Sequence, residues 1–216
     1  MTKKPTHLIF SFLPLLLASN NAIAQSWDTV VSNAAYQSYF SYTYREPVMV
    51  VYKLFHGGGN CERACFRQDD IPIPTATDTD YRYSVYDRGH MANAKDFAFD
   101  CDKEELTFRY YNCVPQTQSL NRGKYEKWEK AIRGESQSDS LLIICGNIFG
   151  AHPERIGKDS IAVPVNCYKV VESLSSHKIL HVLVFTNQTP ATCDTTESEP
   201  ELEKTLGYRL PLERTW

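Results

Sequence analysis

Apolar positions along this chain follow two different periods. Glu46 to Phe55, EPVMVVYKLF, concentrates Val, Met, Tyr and Leu and reads as a strand. Similar runs at 107–112, 140–145, 161–171 and 178–186 read the same way. Between the first two of these, Asn121 to Arg133 changes period. Tyr125, Trp128 and Ile132 recur there at the three- and four-residue steps of one helix face. His56-Gly57-Gly58-Gly59-Asn60 ends the first strand in a flexible loop, and residues 68–80, with Pro72 and Pro74, read as a long surface loop. Strands gathered around a helical segment, without internal repeats, predict an α+β layer fold with a mostly antiparallel sheet.

The N-terminal run fits neither period. Lys3 and Lys4 precede an apolar stretch from Leu8 to Ala18, which at 11 residues is too short to span a membrane, a task that takes about 20. Ala22-Ile23-Ala24 then supplies the small–x–small pattern of a cleavage site. Residues 1–24 are therefore expected to be a signal peptide and 25–216 a single domain. The expected location is the periplasm or the outside of a bacterial cell.

Composition narrows the class. At 42% hydrophobic and 23% charged residues the chain is globular, neither disordered nor fibrous. Its formal charge of −3 becomes −5 once Lys3 and Lys4 are removed. Taken alone, that sign argues against a nucleic-acid binder. Locally it is reversed, because Arg122 to Arg133 carries five basic residues and two acids. All seven cysteines (61, 65, 101, 113, 145, 167 and 193) follow the signal peptide. In an oxidising compartment they predict three disulfides with one thiol left over. Cys61 and Cys65 are close enough to bridge locally, but spacing leaves the pairing open. The glycine run does not mark an esterase, because no G-x-S-x-G turn follows it.

Two motifs carry chemistry. In Asp87-Arg88-Gly89-His90 an imidazole able to take a proton near neutral pH lies two positions from a guanidinium able to fork onto phosphate. In the second, Asn112-Cys113-Val114-Pro115-Gln116 is followed by Leu120-Asn121-Arg122-Gly123 and then Glu129. On a helix, Asn121 and Glu129 stand two turns and about 80° apart, so both can face one cleft. An amide oxygen and a carboxylate are hard donors suited to Mg²⁺. The bland alternative makes Asn121 a helix cap and pairs Glu129 with Lys124 or Lys130 at the surface.

Together these motifs resemble the DNA/RNA non-specific endonucleases of the ββα-metal superfamily. Fainter echoes extend the resemblance: Phe66-Arg67-Gln68-Asp69-Asp70 upstream, and Cys145-Gly146-Asn147, Tyr168-Lys169-Val170 and Leu202 to Gly207 downstream. The resemblance implies a ββα-metal finger on the antiparallel sheet, flanked by helices. It implies His90 as general base, Asn121 as the direct ligand of Mg²⁺ (or Mn²⁺ in its place), and Glu129 holding a metal-bound water. Arg88 would lie beside the phosphate, Asn112 and Gln116 would support the site, and Arg122 would add a phosphate contact. A further arginine is expected upstream; Arg63 is the first candidate and Arg67 the second. The implied partners are DNA and RNA, with no membrane and no obligate protein partner for the mature form. Two other classes stay open: a catalytically weak nucleic-acid-binding protein on the same fold, and a metal-dependent phosphodiesterase for small nucleotides.

Overall fold

The structure is a computed structural model that describes residues 26–213. The expected signal peptide, 1–24, lies outside the described residues. The chain opens with β1 (Thr29–Ser32), β2 (Gln37–Ser41) and β3 (Glu46–Leu54), followed by the short α1 (Asp78–Tyr81). Next come β4 (Tyr86–His90), α2 (Cys101–Leu106) and β5 (Cys113–Thr117). A π-helical turn at Leu120–Tyr125 runs directly into α3 (Glu126–Glu135). The second half contains β6 (Leu141–Ile148), β7 (Arg155–Ile156), β8 (Ile161–Ala162), β9 (Asn166–Ser173), β10 (Lys178–Thr186), β11 (Cys193–Asp194) and α4 (Glu199–Leu206). Among the described residues, no helix is long and apolar enough to cross a membrane.

Seven strands form one sheet in the order β1-β2-β3-β6-β9-β10-β11, every pair antiparallel. The central strands are covered on both faces and mostly apolar, with buried polar exceptions such as Asn147 and Lys169, while their side chains still alternate between faces. Ile143, Cys145, Cys167 and Val171 join one core with Leu120, Tyr125 and Ile132. Leu142, Ile144, Tyr168 and Val170 join a second core with Leu202 and Leu206 of α4. Helix α4 is closed by a Ser198–Glu201 capping box and by Gly207 at φ 77°. Strands β4 and β5 pair separately, with His90 opposite Cys113 and Gly89 opposite Val114. With α3 they make a ββα unit over the first core. The expected α+β fold with an antiparallel sheet and flanking helices is therefore present.

Several expected elements differ. The run 107–112 is not a strand. Thr107 ends α2 by donating its hydroxyl to Glu104 O, and Tyr110–Asn112 is a 3₁₀ turn. The aromatic rings that made this stretch look extended pack instead around His90 and Asp69. The run 161–171 is split at Pro164: β8 pairs with β7, and β9 begins only at Asn166. The loop 68–80 ends early, in α1. The cysteines form one disulfide among the described residues, Cys61–Cys101, and not three. Cys65 is an exposed free thiol, so the local Cys61–Cys65 bridge is not made, and Cys193 is free and half-buried. Cys113, Cys145 and Cys167 are buried free thiols set against Tyr81, Lys169 and Asn147.

Glu46, at the start of β3, is fully buried, and neither carboxyl oxygen has a hydrogen-bond partner among the described residues. Burial drives its pKa well above the usual carboxylate range, and the charge of Arg155 offsets this only in part. The folded chain thus holds a proton here that the unfolded chain releases near pH 4.5. Stability from this group is full below that pH and is lost as pH rises toward the folded value. Urea unfolding of Glu46→Gln should match the parent at pH 4.5 and exceed it at pH 8 by more than about 1 kcal/mol. An equal difference at both pH values would rule out the protonated carboxyl.

Candidate active site

The ββα unit forms one wall of an open cavity of about 620 Å³. Six of the residues singled out from sequence line it: Arg63, Arg88, His90, Asn121, Arg122 and Glu129. His90 ends β4 and is 7% exposed, its ring 4.5 Å from Phe66 and 4.8 Å from Phe108, centroid to centroid. Burial and the nearby Arg63 charge lower its pKa to about 3, so the imidazole is neutral over the physiological range. Its Nε2 is sealed from solvent without a hydrogen-bond partner, which leaves Nδ1 as the nitrogen able to meet a water.

Asp87 links the two motifs. Its Oδ2 accepts from Asn121 Nδ2 at 2.9 Å and Arg122 Nε at 2.8 Å, and its Oδ1 from Arg122 Nη2 at 2.6 Å. Burial alone would raise this carboxyl, but the Arg122 and Asn121 bonds and the Arg122 and Arg88 charges hold it below the usual range. Because the amide nitrogen of Asn121 is committed to Asp87, its oxygen is the donor atom left for the cavity. Asn121 therefore does not cap α3, and it lies within the π-helical turn.

Glu129 is buried and is not a surface partner of Lys124 or Lys130. Asn93 Nδ2 donates to its Oε2 at 2.5 Å, and Lys169 Nζ lies 3.7 Å from Oε1. Burial pushes its pKa up to about 7, with Lys169 pulling the other way. Burial also disfavours the Lys169 ammonium, but Cys145 and Glu129 outweigh it and hold that pKa above the ordinary lysine value.

The basic stripe divides on the helix surface. Arg122, Glu126, Glu129 and Arg133, at steps of four, three and four, face the cavity, whereas Lys124, Lys127 and Lys130 are exposed and do not line it. Arg88 pairs with Asp78, Arg122 with Asp87 and Arg133 with Asp96. Of the two upstream arginines, Arg63 reaches the site, its guanidinium 5.5 Å over the Phe108 ring. Arg67 pairs with Glu105 outside the cavity.

Two expected site residues lie behind the cavity wall. Asn112 is fully buried; its Oδ1 accepts from Ala92 N at 2.8 Å, and its Nδ2 donates to Ala92 O and Thr107 O. That stapling holds the chain leaving His90 and uses all of the amide's reach. Gln116 is buried with Nε2 3.5 Å from Cys167 Sγ, and a Cβ on Gly89 would come 2.3 Å from its Oε1. It is thus packed against the backbone beside His90 and is not exposed to substrate. Sequence reasoning gave no individual role to Asn93, Lys169 or Arg133. Only Arg133 left a local signal, four residues after Glu129 on the same face.

An amide oxygen and a carboxylate on one wall fit a hard divalent cation. No group of three or more His, Cys, Asp or Glu side chains that could hold a metal exists among the described residues. A cation here would keep most of its waters, which suits Mg²⁺.

The fold and motifs match known proteins. In solved structures, the crystal structure of an EndoG/EndoGI complex superimposes with a TM-score of 0.73 at 27% identity, covering 86% of each chain. Mitochondrial endonuclease G of Homo sapiens is 32% identical over 128 residues, 53% of this chain and 43% of its own length. A nuclease of Nostoc sp. is 32% identical over 123 residues, 55% of this chain and 44% of its own length. The chain thus spans about half the length of these sequence relatives. A family model described as DNA/RNA non-specific endonuclease matches residues 18–206, most of the chain. The chain belongs to the DNA/RNA non-specific endonuclease family.

Proposed function

We propose that the chain hydrolyses phosphodiester bonds in DNA and RNA without sequence preference, aided by Mg²⁺ or, in its place, Mn²⁺. The observation that carries this reading is the meeting of a neutral imidazole, an amide–carboxylate pair and several guanidinium groups in one open cavity. His90 takes the proton of the attacking water at Nδ1. Arg63 is the charge that depresses His90 most directly. A phosphate seated against Arg63 offsets that charge and makes the imidazole a better base as substrate arrives. Arg88 and Arg122 orient the phosphate oxygens, and their aspartate partners aim the guanidinium groups beforehand. Asn121 Oδ1 would hold the cation, and Glu129 would hold one of its waters. When bound, the ion stabilises charge on the phosphate and on the leaving 3′-oxygen, giving 5′-phosphate ends. A reader of backbone phosphate needs few base contacts, so low sequence preference follows.

An oxidising destination is consistent with this reading. Cys61–Cys101 ties the loop that carries Arg63 and Phe66 to the start of α2. Together with the N-terminal address, it supports an exported, single-domain enzyme in the periplasm or outside the cell.

Plasmid DNA and RNA should both be cut with Mg²⁺ and spared with EDTA. His90→Ala should lower kcat by about 10²- to 10⁴-fold, and undiminished cleavage by the variant would remove His90 as the base. Asn121→Ala should lose about 1 kcal/mol of stability with its Asp87 bond, yet far more in activity; collapse in urea would restore a purely structural role.

Five basic and five acidic side chains line the cavity, so its local field is balanced despite the basic stripe. Binding to duplex DNA, measured with EDTA present, should therefore have a shallow salt dependence, a log–log slope of about −3 to −4 for roughly four phosphate contacts. A slope near −6 would mean that Lys124, Lys127 and Lys130 also meet the strand. Reduction of the disulfide, or the double variant Cys61→Ser/Cys101→Ser, should raise KM more than it lowers kcat. The reason is that Arg63 loses its anchor while His90 keeps its own. A fall in kcat alone would place the disulfide's effect elsewhere.

A further inference from the structure

We propose that Lys169 is a positioning residue whose ammonium holds the Glu129 carboxylate against the cavity wall. The inference builds on the hydrolytic role given to Glu129. Lys169 stands in the middle of β9, 1% exposed, among Tyr168, Val170 and Val171. A cation in such a place is tolerated only with partners. Strand alternation turns its side chain to the face shared with Cys145 and the ββα unit, away from α4. There Nζ donates to Cys145 Sγ at 3.0 Å, lies 4.4 Å from the Tyr125 ring centroid and stands 3.7 Å from Glu129 Oε1. Two echoes that the hydrolytic reading left without a role, Cys145-Gly146 and Tyr168-Lys169, thus meet directly beneath Glu129.

The two carboxylate oxygens are held separately. Asn93, a cavity residue, takes Oε2, and Lys169, within the sheet, faces Oε1. A carboxylate held at both oxygens keeps its orientation when substrate and solvent exchange in front of it, which is the preorganisation a hydrolytic site requires. Lys169 does not itself line the cavity. Its effect on hydrolysis therefore passes through Glu129.

The test compares the purified parent chain with Lys169→Met, Glu129→Gln and the double variant, using urea unfolding together with kcat and KM on plasmid DNA. Lys169→Met keeps the volume and removes the charge. It should unfold cooperatively and lower kcat by about 30-fold or more, with KM within about threefold, because an orientation used in the transition state is lost. Added to Glu129→Gln, it should lower kcat no further. In urea, Glu129→Gln alone should lose stability by stranding a buried ammonium, and the double variant should recover it. Lys169→Met activity within threefold of the parent, or a further loss on top of Glu129→Gln, overturns the inference. If Lys169→Met does not fold, the stability comparison decides, and a double variant no more stable than Glu129→Gln overturns it. An inactive parent would instead overturn the hydrolytic reading, with the urea coupling still testing the pair.

Discussion

The site depends on one carboxylate that bonds across more than thirty residues of sequence. Asp87 leaves β4 beside Arg88 and receives both Asn121 and Arg122 from the π-helical turn. Without that junction, the strand that carries His90 and the helix that carries Glu129 would be joined only through backbone pairing and core contacts. With it, the Asn121 amide has a fixed sense and α3 a fixed entry. The extra residue in each π turn widens the start of the helix where these contacts form. A regular α-helix from Leu120 would advance each later residue by a different angle, and Glu129 and Arg133 would face elsewhere.

This geometry explains which parts of the sequence were legible. Asp87, Arg88, His90, Asn121 and Glu129 could be grouped from sequence because the order and spacing of their motifs resemble a known family, and the structure places all of them around one cavity. Asn93 and Lys169 could not, since they meet Glu129 across 36 and 40 residues, and neither has a neighbour that reveals its role. Arg63 was favoured over Arg67 by the resemblance. The structure gives the reason: Glu105 draws Arg67 outward, while Phe108 carries Arg63 over the cavity. Aromatic residues were the main source of error. Phe108, Tyr110 and Tyr111 favour strands on average, yet here they wall in His90 and hold Asp69, a use that no local propensity encodes. Disulfide pairing failed for a similar reason. A bridge needs its two Cα atoms about 5.5 Å apart, and only the assembled fold brings Cys61 to Cys101 while leaving the strand cysteines against polar neighbours.

Charge is the feature whose meaning changed most. A net-negative chain is a poor guide when the acids are structural partners of the bases that matter. Asp78, Asp87 and Asp96 each orient an arginine that lines the cavity, so the aspartates that lower the total also build the cavity's basic surface. Exposed lysines on α3 contribute to the count without facing the cavity. Total charge and local function are therefore nearly independent in this fold.

The ββα unit also carries much of the structure's unmet hydrogen bonding. His90 Nε2 and Gln116 Oε1 are buried without partners among the described residues, and they lie on β4 and on β5. Each such group costs about 1–3 kcal/mol, so the unit is poorly suited to fold on its own. The central sheet offsets this. Its inner strands are buried on both faces, and the core beneath the unit is continuous from Val50 through Ile143 to Tyr125. Lys169 and Cys145 belong to that same sheet. The strands that supply stability thus also hold the groups on which the cavity rests, so the site and the core share β6 and β9.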